Sequence, residues 1–271
     1  MMCIRRIIAI LILAGGMLSA RAQTDTALEA VRLKCRYVET MMIDTLSGNT
    51  NRDTLTLLIG SRWSSFYSRN HLIEDSVMTS PGGVSKWMST SWKYAKEGRF
   101  DLFTSTTSDY LYRDKESGIF LTRTGTIRER VEWTEPCETL EWIYRDSVKT
   151  VLGYECHLAE ADFRGRHWTA WYTLEVPISE GPWKLWGLPG LICEASADGG
   201  QYQYSLVAVL PDPGETIRLY SWSKKYRQTN RIDYYRARRR DSALTNEKAE
   251  QKGMGELVSK SKYDFRERDY R

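Results

Sequence analysis

The sequence of 271 residues has little histidine and no assembled catalytic or metal-binding motif. It contains 3 His and 5 Cys, with neither an H-E-x-x-H stretch nor paired C-x-x-C spacing, so the standard zinc patterns are missing. The G-x-x-x-x-G-K-[ST] pattern of a phosphate-binding loop is missing as well. Beyond the first 22 residues no apolar run is long enough to cross a membrane. These absences argue against a zinc hydrolase, a nucleotide-dependent enzyme and an integral membrane protein, and we predict no cofactor and no metal.

The N-terminus has the pattern of an export signal. Two arginines precede the apolar run 7–18, and the small residues Ala20 and Ala22 follow it. We therefore assign residues 1–22 to a signal peptide that is cleaved before Gln23. The mature chain is expected in the periplasm or the medium, without a transmembrane segment.

The remaining chain divides by charge. Residues 221–271 hold 15 basic and 8 acidic side chains, whereas residues 23–220 hold 21 basic and 27 acidic ones. We expect a β-rich domain over 23–220 and a basic tail over 221–271 that is partly disordered or helical, with one helix from Asn230 to Lys252. The run Arg236–Arg240 has enough positive charge to bind phosphate groups. An exported protein seldom meets nucleic acid, so anionic lipid, lipopolysaccharide or an outer-membrane partner protein is the better match, and a solvated tail is the simplest interpretation.

Strand patterns dominate the domain. TALEAVRL predicts a short helical lead-in, and the next two apolar runs predict an opening hairpin. A helix is expected over 70–78, interrupted at Pro81-Gly-Gly83. Strands with short connections then follow for over a hundred residues. The predicted fold is α+β and mainly β: a curved antiparallel sheet, like a half-barrel meander, with a few helices.

Two hairpins have alternating apolar residues on either side of a glycine turn. The first runs from Tyr154 through the turn Arg164-Gly165-Arg166 to Val176. The second runs from Leu191 through Asp198-Gly199-Gly200 to Ala208. Period-two alternation with one apolar face predicts a sheet that packs on one side and meets water on the other.

The stretch WKLWGLPGLI precedes the second hairpin, and its composition favours a structural corner. Pro189 and Gly190 fit the two central positions of a type II turn, where the glycine takes a positive φ. Gly187 leaves room for close backbone approach. The stretch contains no Ser, His, Asp or Glu, so it supplies neither a nucleophile nor a proton carrier.

A longer segment around this stretch resembles a known family. The matching pieces are Gly153-Tyr154 with Cys156, the Arg164–Arg166 turn, Ala170–Thr173, Pro177, Gly181-Pro182, and the motif Gly187, Leu188, Pro189, Gly190, Leu191 and Ile192. They resemble the GLPGLI family, exported proteins of Bacteroidota with a Porphyromonas-type domain and unknown function. The resemblance implies no catalytic residues. A weaker similarity to periplasmic half-barrel carriers of the lipoprotein-localisation type implies a sheet that cups an apolar ligand.

Aromatic side chains give the best indication of a ligand site. The sequence has 10 Trp and 16 Tyr but 6 Phe. Such rings fill a core or line a groove for an apolar or glycan-like ligand. The candidate binding residues are Trp168, Trp171, Tyr172, Trp183, Trp186, Tyr202 and Tyr204. The predicted function is a non-enzymatic cell-envelope protein that binds an apolar or envelope-derived ligand or a partner.

Two alternatives remain open. A structural accessory of an outer-membrane assembly would need no ligand site. An envelope hydrolase or metal-binding protein would use Cys156, His157, His167, Glu155 or Glu194, or two of the glutamates Glu132, Glu135, Glu138 and Glu141, which solvent-facing strand positions also explain. His71 has less support still as a ligand. Four cysteines follow the signal, and the preferred disulfide joins Cys156 to Cys193, because both lie in predicted core strands of an exported protein. Buried free thiols that act as small apolar residues are the alternative.

Overall fold

The computed structural model describes residues 25–42, 48–126, 129–223, 225–251 and 265–270. The predicted signal peptide lies outside these residues. No helix in the described ranges is both long and apolar enough to span a bilayer.

Fourteen strands and three α-helices lie within the described residues. The strands of the first half are β1 (Thr26–Ala30), β2 (Leu33–Met42), β3 (Thr50–Ile59), β4 (Trp63–Ser68), β5 (Tyr110–Asp114), β6 (Ile119–Gly125) and β7 (Arg130–Pro136). Those of the second half are β8 (Ile143–Val151), β9 (Tyr154–Phe163), β10 (Arg166–Thr173), β11 (Leu191–Ala197), β12 (Tyr202–Pro211), β13 (Thr216–Leu219) and β14 (Arg227–Gln228). The helices are α1 (Arg69–Met78), α2 (Gly83–Lys96) and α3 (Arg231–Gln251).

Twelve of the described strands form one sheet in the order β14-β7-β6-β5-β4-β3-β2-β12-β11-β10-β9-β8. It consists of two antiparallel meanders, β2 to β7 and β8 to β12, joined where β12 pairs with β2. Only the short β14 is parallel to its neighbour among these strands. The sheet is open and mainly antiparallel, which confirms the predicted α+β, mainly β class. Both predicted glycine-turn hairpins are present, as β9–β10 and β11–β12.

The sheet curves strongly around its core. Arg164, in the turn between β9 and β10, contacts Glu135 of β7 at 2.6 Å between Nη2 and Oε2. Eight strand spacings separate β10 from β7. In a flat sheet that separation would be about 40 Å, far beyond the reach of two side chains. The concave face therefore encloses one apolar cluster with members from both meanders, among them Phe66 and Tyr204, whose rings are 6.2 Å apart.

The first helix begins and ends where its local sequence predicts. Ser68 caps α1 by accepting a hydrogen bond from the backbone N–H of His71 at 3.1 Å. The chain then breaks at Pro81-Gly82, where Gly82 has a φ of 69°, and continues as α2. The predicted helix over 70–78 and its interruption are confirmed.

The predicted helical lead-in is wrong. Residues Thr26–Ala30 form β1, which pairs antiparallel with β13 in a small second sheet. The carboxylate of Glu29 accepts hydrogen bonds from the backbone N–H groups of Ser61 and Arg62. These partners are distant in sequence, and their pairing overrides the helix propensity of Ala, Leu and Glu.

The predicted tail helix is present as α3, and its first turns pack against the domain. The Tyr234 ring lies 4.9 Å from Trp133 of β7, and Tyr235 stacks on Tyr270 at 5.7 Å. All four rings are buried.

Candidate functional site

The signature stretch lies in the loop between β10 and β11 and leads into the interior of the sheet. Its strand, β11, pairs with β10 on one side and β12 on the other. Leu188, Leu191 and Ile192 have no exposed surface. The phenol of Tyr37 donates a 2.7 Å hydrogen bond to the carbonyl of Ile192. The stretch thus forms part of the core, as its composition predicts.

The two glycines of the stretch have exchanged the roles predicted for them. Gly187 has the positive φ, at 97°, whereas Gly190 does not. A Cβ on Gly190 would lie 1.8 Å from the carbonyl oxygen of Thr173, so Gly190 is required by backbone contact. A Cβ on Gly187 would meet only ordinary contacts, the nearest at 3.6 Å from Trp142. The predicted type II turn is therefore incorrect, because the neighbouring strand sets the backbone.

A buried cluster of charges lies beneath this loop. Lys184 pairs with Glu135 of β7 and with Glu267, whose Oε1 is 2.7 Å from its Nζ. The side chains of all three residues are at most 8% exposed. Trp183, beside the lysine, has a φ of 58°, and its ring packs 5.4 Å from that of Trp168. The solvent-facing position expected for Glu135 is incorrect, because its carboxylate is buried and pairs with Lys184 and Arg164.

The segment 265–270 supplies the second half of the cluster. Glu267 pairs with Arg231 at 2.7 Å, and Asp269 pairs with the same guanidinium at 2.6 Å. Arg266 pairs with the fully buried Glu39 of β2 at 2.5 Å. The guanidinium of Arg166 donates to the carbonyl of Phe265 at 2.6 Å. This part of the basic tail is an internal component of the fold.

Most of the predicted binding rings lie in the core. Trp168, Tyr172, Trp183, Tyr202 and Tyr204 are buried members of the main apolar cluster. The other two are half-buried and each lies beneath a cation. Lys149 is 4.3 Å from the centroid of Trp171, and Arg113 is 3.8 Å from that of Trp186. A ligand role for the seven rings remains a prediction.

The predicted disulfide between Cys156 and Cys193 is not formed in the structure. Both are free thiols on strands that β10 separates, about 10 Å apart between backbones, whereas a disulfide needs about 4.4–6.8 Å between Cα atoms. Their thiols contact each other instead. A hydrogen bond from Cys193 lowers the pKa of Cys156, and the same bond, with burial, raises the pKa of Cys193.

Apart from Glu141, which is exposed, the other groups considered for metal or hydrolytic chemistry have structural partners. His157 lies 3.7 Å from Glu155, and His167 lies 2.9 Å from Asp162. Glu132, Glu138 and Glu194 pair with Arg123, Arg164 and Lys149. No group of three or more potential metal ligands occurs in the part of the chain that the structure describes.

Two neighbouring cavities lie between the sheet and α3. The larger, about 510 Å³, opens between α1, the β6–β7 hairpin and α3. Its charged lining consists of Glu74, Asp75, Glu129, Arg227, Arg238 and Asp241. The smaller, about 270 Å³, shares Ser105, Ser108 and Arg238 with it and reaches Arg266. The volume of the larger cavity is typical of small-ligand sites, and six of the residues that line it carry charge.

Asp75 lies in the inner wall of the larger cavity and is 2% exposed, and a fixed polar cluster behind the wall holds its carboxylate. Its Oδ2 accepts a 2.9 Å hydrogen bond from the phenol of Tyr110 and lies 3.2 Å from Nε2 of His71, and its Oδ1 pairs with the buried Arg130. Burial and the charge of Asp75 raise the pKa of Tyr110, so the phenol stays a donor. Nδ1 of His71 lies 3.3 Å from Glu74. The sequence alone gives His71 little support as a site residue, because Tyr110, whose ring lies 5.6 Å from its imidazole, comes from a distant strand.

The protein therefore belongs to the α+β class, with an open, curved, mainly antiparallel sheet and two cavities between that sheet and α3. Residues 160–194 match the model of a family described as "Protein of unknown function (Porph_ging)". This match confirms the resemblance to the GLPGLI family.

Comparison with solved structures finds a distant likeness. Two of the matches are described as "Structure of PNGF-II in P21 space group" and "Structure of PNGF-II in C2 space group". Each is 12% identical, with a TM-score of 0.48, over 76% of this chain and 32% of the other. This chain therefore spans about a third of the solved chains it matches. A search of curated proteins finds no match.

Proposed function

We propose that the protein is an exported, non-enzymatic binding protein of the cell envelope, with the cavity of about 510 Å³ as its ligand site. The observation that carries this proposal is the prearranged polar wall of the cavity. Tyr110 and Arg130, which lie behind the lining, fix the carboxylate of Asp75 in place before any ligand arrives. A preorganised wall avoids the entropic loss of ordering side chains on binding.

The chemistry of the lining favours a polar ligand. Arg227 and Arg238 offer donors, Glu74, Glu129 and Asp241 offer acceptors, and Ser105 and Ser108 offer both. A hydroxyl-rich or zwitterionic compound, such as a glycan fragment or a short peptide, matches both sets. The predicted apolar ligand fits less well, because five of the seven rings expected to hold it fill the core.

Envelope extract, divided into an aqueous fraction of sugars and peptides and an organic fraction of lipids, provides the test. Native mass spectrometry should show a bound species from the aqueous fraction. Ala237→Trp, which fills the cavity from α3, should abolish the adduct. Arg239→Trp, at an exposed position of the same helix that does not line the cavity, is the matched control and should retain it. An adduct unchanged in Ala237→Trp, or one formed only from lipid, would contradict the proposal.

The carboxylates of the same cavity favour one alternative, a hydrolase acting on glycans. Two carboxyl groups on opposite sides of a glycosidic bond can act as acid and base. Glu74 and Glu129 are the pair to test, since Asp75 is committed to the buried Arg130, whereas Glu129 pairs with Arg227 at an exposed position. If the aqueous fraction is cleaved by the wild type and not by Glu74→Gln or Glu129→Gln, the protein is an enzyme and the binding proposal fails.

A further inference from the structure

Helix α2 presents an apolar stripe to solvent. Val84, Met88 and Trp92 are 48%, 65% and 66% exposed. Their spacing of four residues places them in one row along the helix. Trp87, about 100° around the helix from Met88, is buried and attaches the helix to the domain. The stripe is therefore a formed surface on an anchored helix.

Positive charge accompanies the stripe. Between Gly83 and Lys96 the helix has three lysines and no acidic residue. Lys96 continues the row, and its Nζ lies 5.6 Å from the ring centroid of Trp92. Lys86 and Lys93 lie about 100–120° further around the helix from Trp92, beside the stripe. The exposed face of α2 is thus half apolar and half basic.

We infer that α2 is a docking surface for an anionic lipid bilayer. An apolar stripe bordered by lysines matches the surface of one leaflet. The apolar side chains enter the acyl boundary, and the ammonium groups of the lysines reach the headgroups. Tryptophan favours that boundary, because its ring is apolar and its N–H can meet water. A protein partner is a poorer match, because the cores of protein interfaces are depleted of lysine.

This inference concerns a face distinct from the ligand cavity and does not rest on the proposed function. It places the protein at the membrane surface, where the apolar stripe and the lysines of α2 hold it. Each lysine near an anionic surface and each inserted apolar side chain adds to the affinity, so the two halves of the face contribute separately.

Vesicle co-sedimentation provides the test, with the chain starting at Gln23 so that the apolar N-terminal run does not bind lipid itself. Every described element lies after that residue. Wild type should sediment with vesicles of phosphatidylglycerol and phosphatidylcholine, less so at high salt, and weakly with phosphatidylcholine alone. The double variant Met88→Ser/Trp92→Ser should bind about tenfold more weakly. Lys86→Gln/Lys93→Gln/Lys96→Gln should lose the preference for the anionic lipid.

The control variant is Tyr144→Ser/Val148→Ser, which removes two side chains of similar exposure from β8. It should bind like the wild type, and all variants should keep the wild-type circular dichroism. Equal binding by wild type and Met88→Ser/Trp92→Ser would overturn the inference, as would absence of binding to anionic vesicles. Self-association lost in the same variant, without vesicle binding, would instead make the face an interface between two copies and would equally overturn it.

Discussion

Lys184, three residues before Gly187 of the signature motif, lies 2.7 Å through its Nζ from Oε1 of Glu267, and both side chains are buried. Eighty-three positions separate the two residues in the chain. The motif loop and the segment 265–270 therefore stabilise each other. Glu267 has no exposed surface, so its charge depends on Lys184 and Arg231 for compensation.

Glu267→Gln should destabilise the fold by about 3 kcal/mol, because it leaves buried cations short of a partner. Urea unfolding followed by fluorescence measures the change. Glu138→Gln is the control, since Glu138 pairs with Arg164 but its side chain is 54% exposed. Its loss should lower the free energy of unfolding by less than about 1 kcal/mol. If both changes lower the free energy of unfolding equally, the buried cluster stabilises the fold no more than an exposed ion pair does.

Gly190→Ala should lower the free energy of unfolding by about 3 kcal/mol, because the new methyl group meets the Thr173 carbonyl. Gly187→Ala should lower it by about 1 kcal/mol, since only the positive φ opposes it. Denaturant titration compares the two directly. A larger loss for Gly187→Ala than for Gly190→Ala would contradict this structure and support the type II turn predicted from sequence.

Cys137 should react first with iodoacetamide in the folded protein. It is half-buried, while Cys35, Cys156 and Cys193 are fully buried. The thiolate is the reacting form, and burial raises the pKa of Cys137, so its labelling should be slow near pH 8 and should accelerate as pH rises. Burial raises the pKa of Cys35 to about 12, which keeps it protonated throughout. Peptide mass spectrometry at several pH values follows each site.

After denaturation without reductant, all four cysteines of the described residues should be alkylated. Labelling of only two, with Cys156 and Cys193 protected until reductant is added, would show that the disulfide forms and that the two strands move together.

Export predicts a mature N-terminus at Gln23. N-terminal sequencing of the protein from cell fractions should find this end outside the cytoplasm, whereas Ala22→Leu, which removes a small residue from the cleavage site, should accumulate the uncut chain. Recovery of the wild-type protein in the cytoplasm with Met1 intact would contradict the assignment.

The hairpins could be predicted from sequence because their signals are local. In β9–β10 the apolar alternation and the Arg164-Gly165 turn lie within twenty residues, so the pattern contains its own partner. The strand β1 could not be predicted from sequence. Its residues Thr26–Ala30 have helical composition, and they become extended only by pairing with β13, about 190 positions later.

The site was harder to predict for the same reason. Nothing near Lys184 in the chain indicates that it is buried, because Glu135 and Glu267 come from distant segments. The wall around Asp75 likewise combines α1 with β5 and β7. Aromatic content alone does not tell whether Trp168 or Tyr204 faces a ligand or the core, because this depends on the curvature of the sheet, which no local pattern encodes.

The position of segment 265–270 in the chain determines when the protein can complete its folding. During synthesis or passage across a membrane, Lys184, Arg231 and Glu39 emerge long before the carboxylate and guanidinium that neutralise them. Until Arg266 and Glu267 arrive, closing the sheet would bury unpaired charge, which is strongly unfavourable. We therefore expect the sheet to close only after Glu267 has been delivered, and a chain stopped before Arg266 should remain open and accessible to proteases.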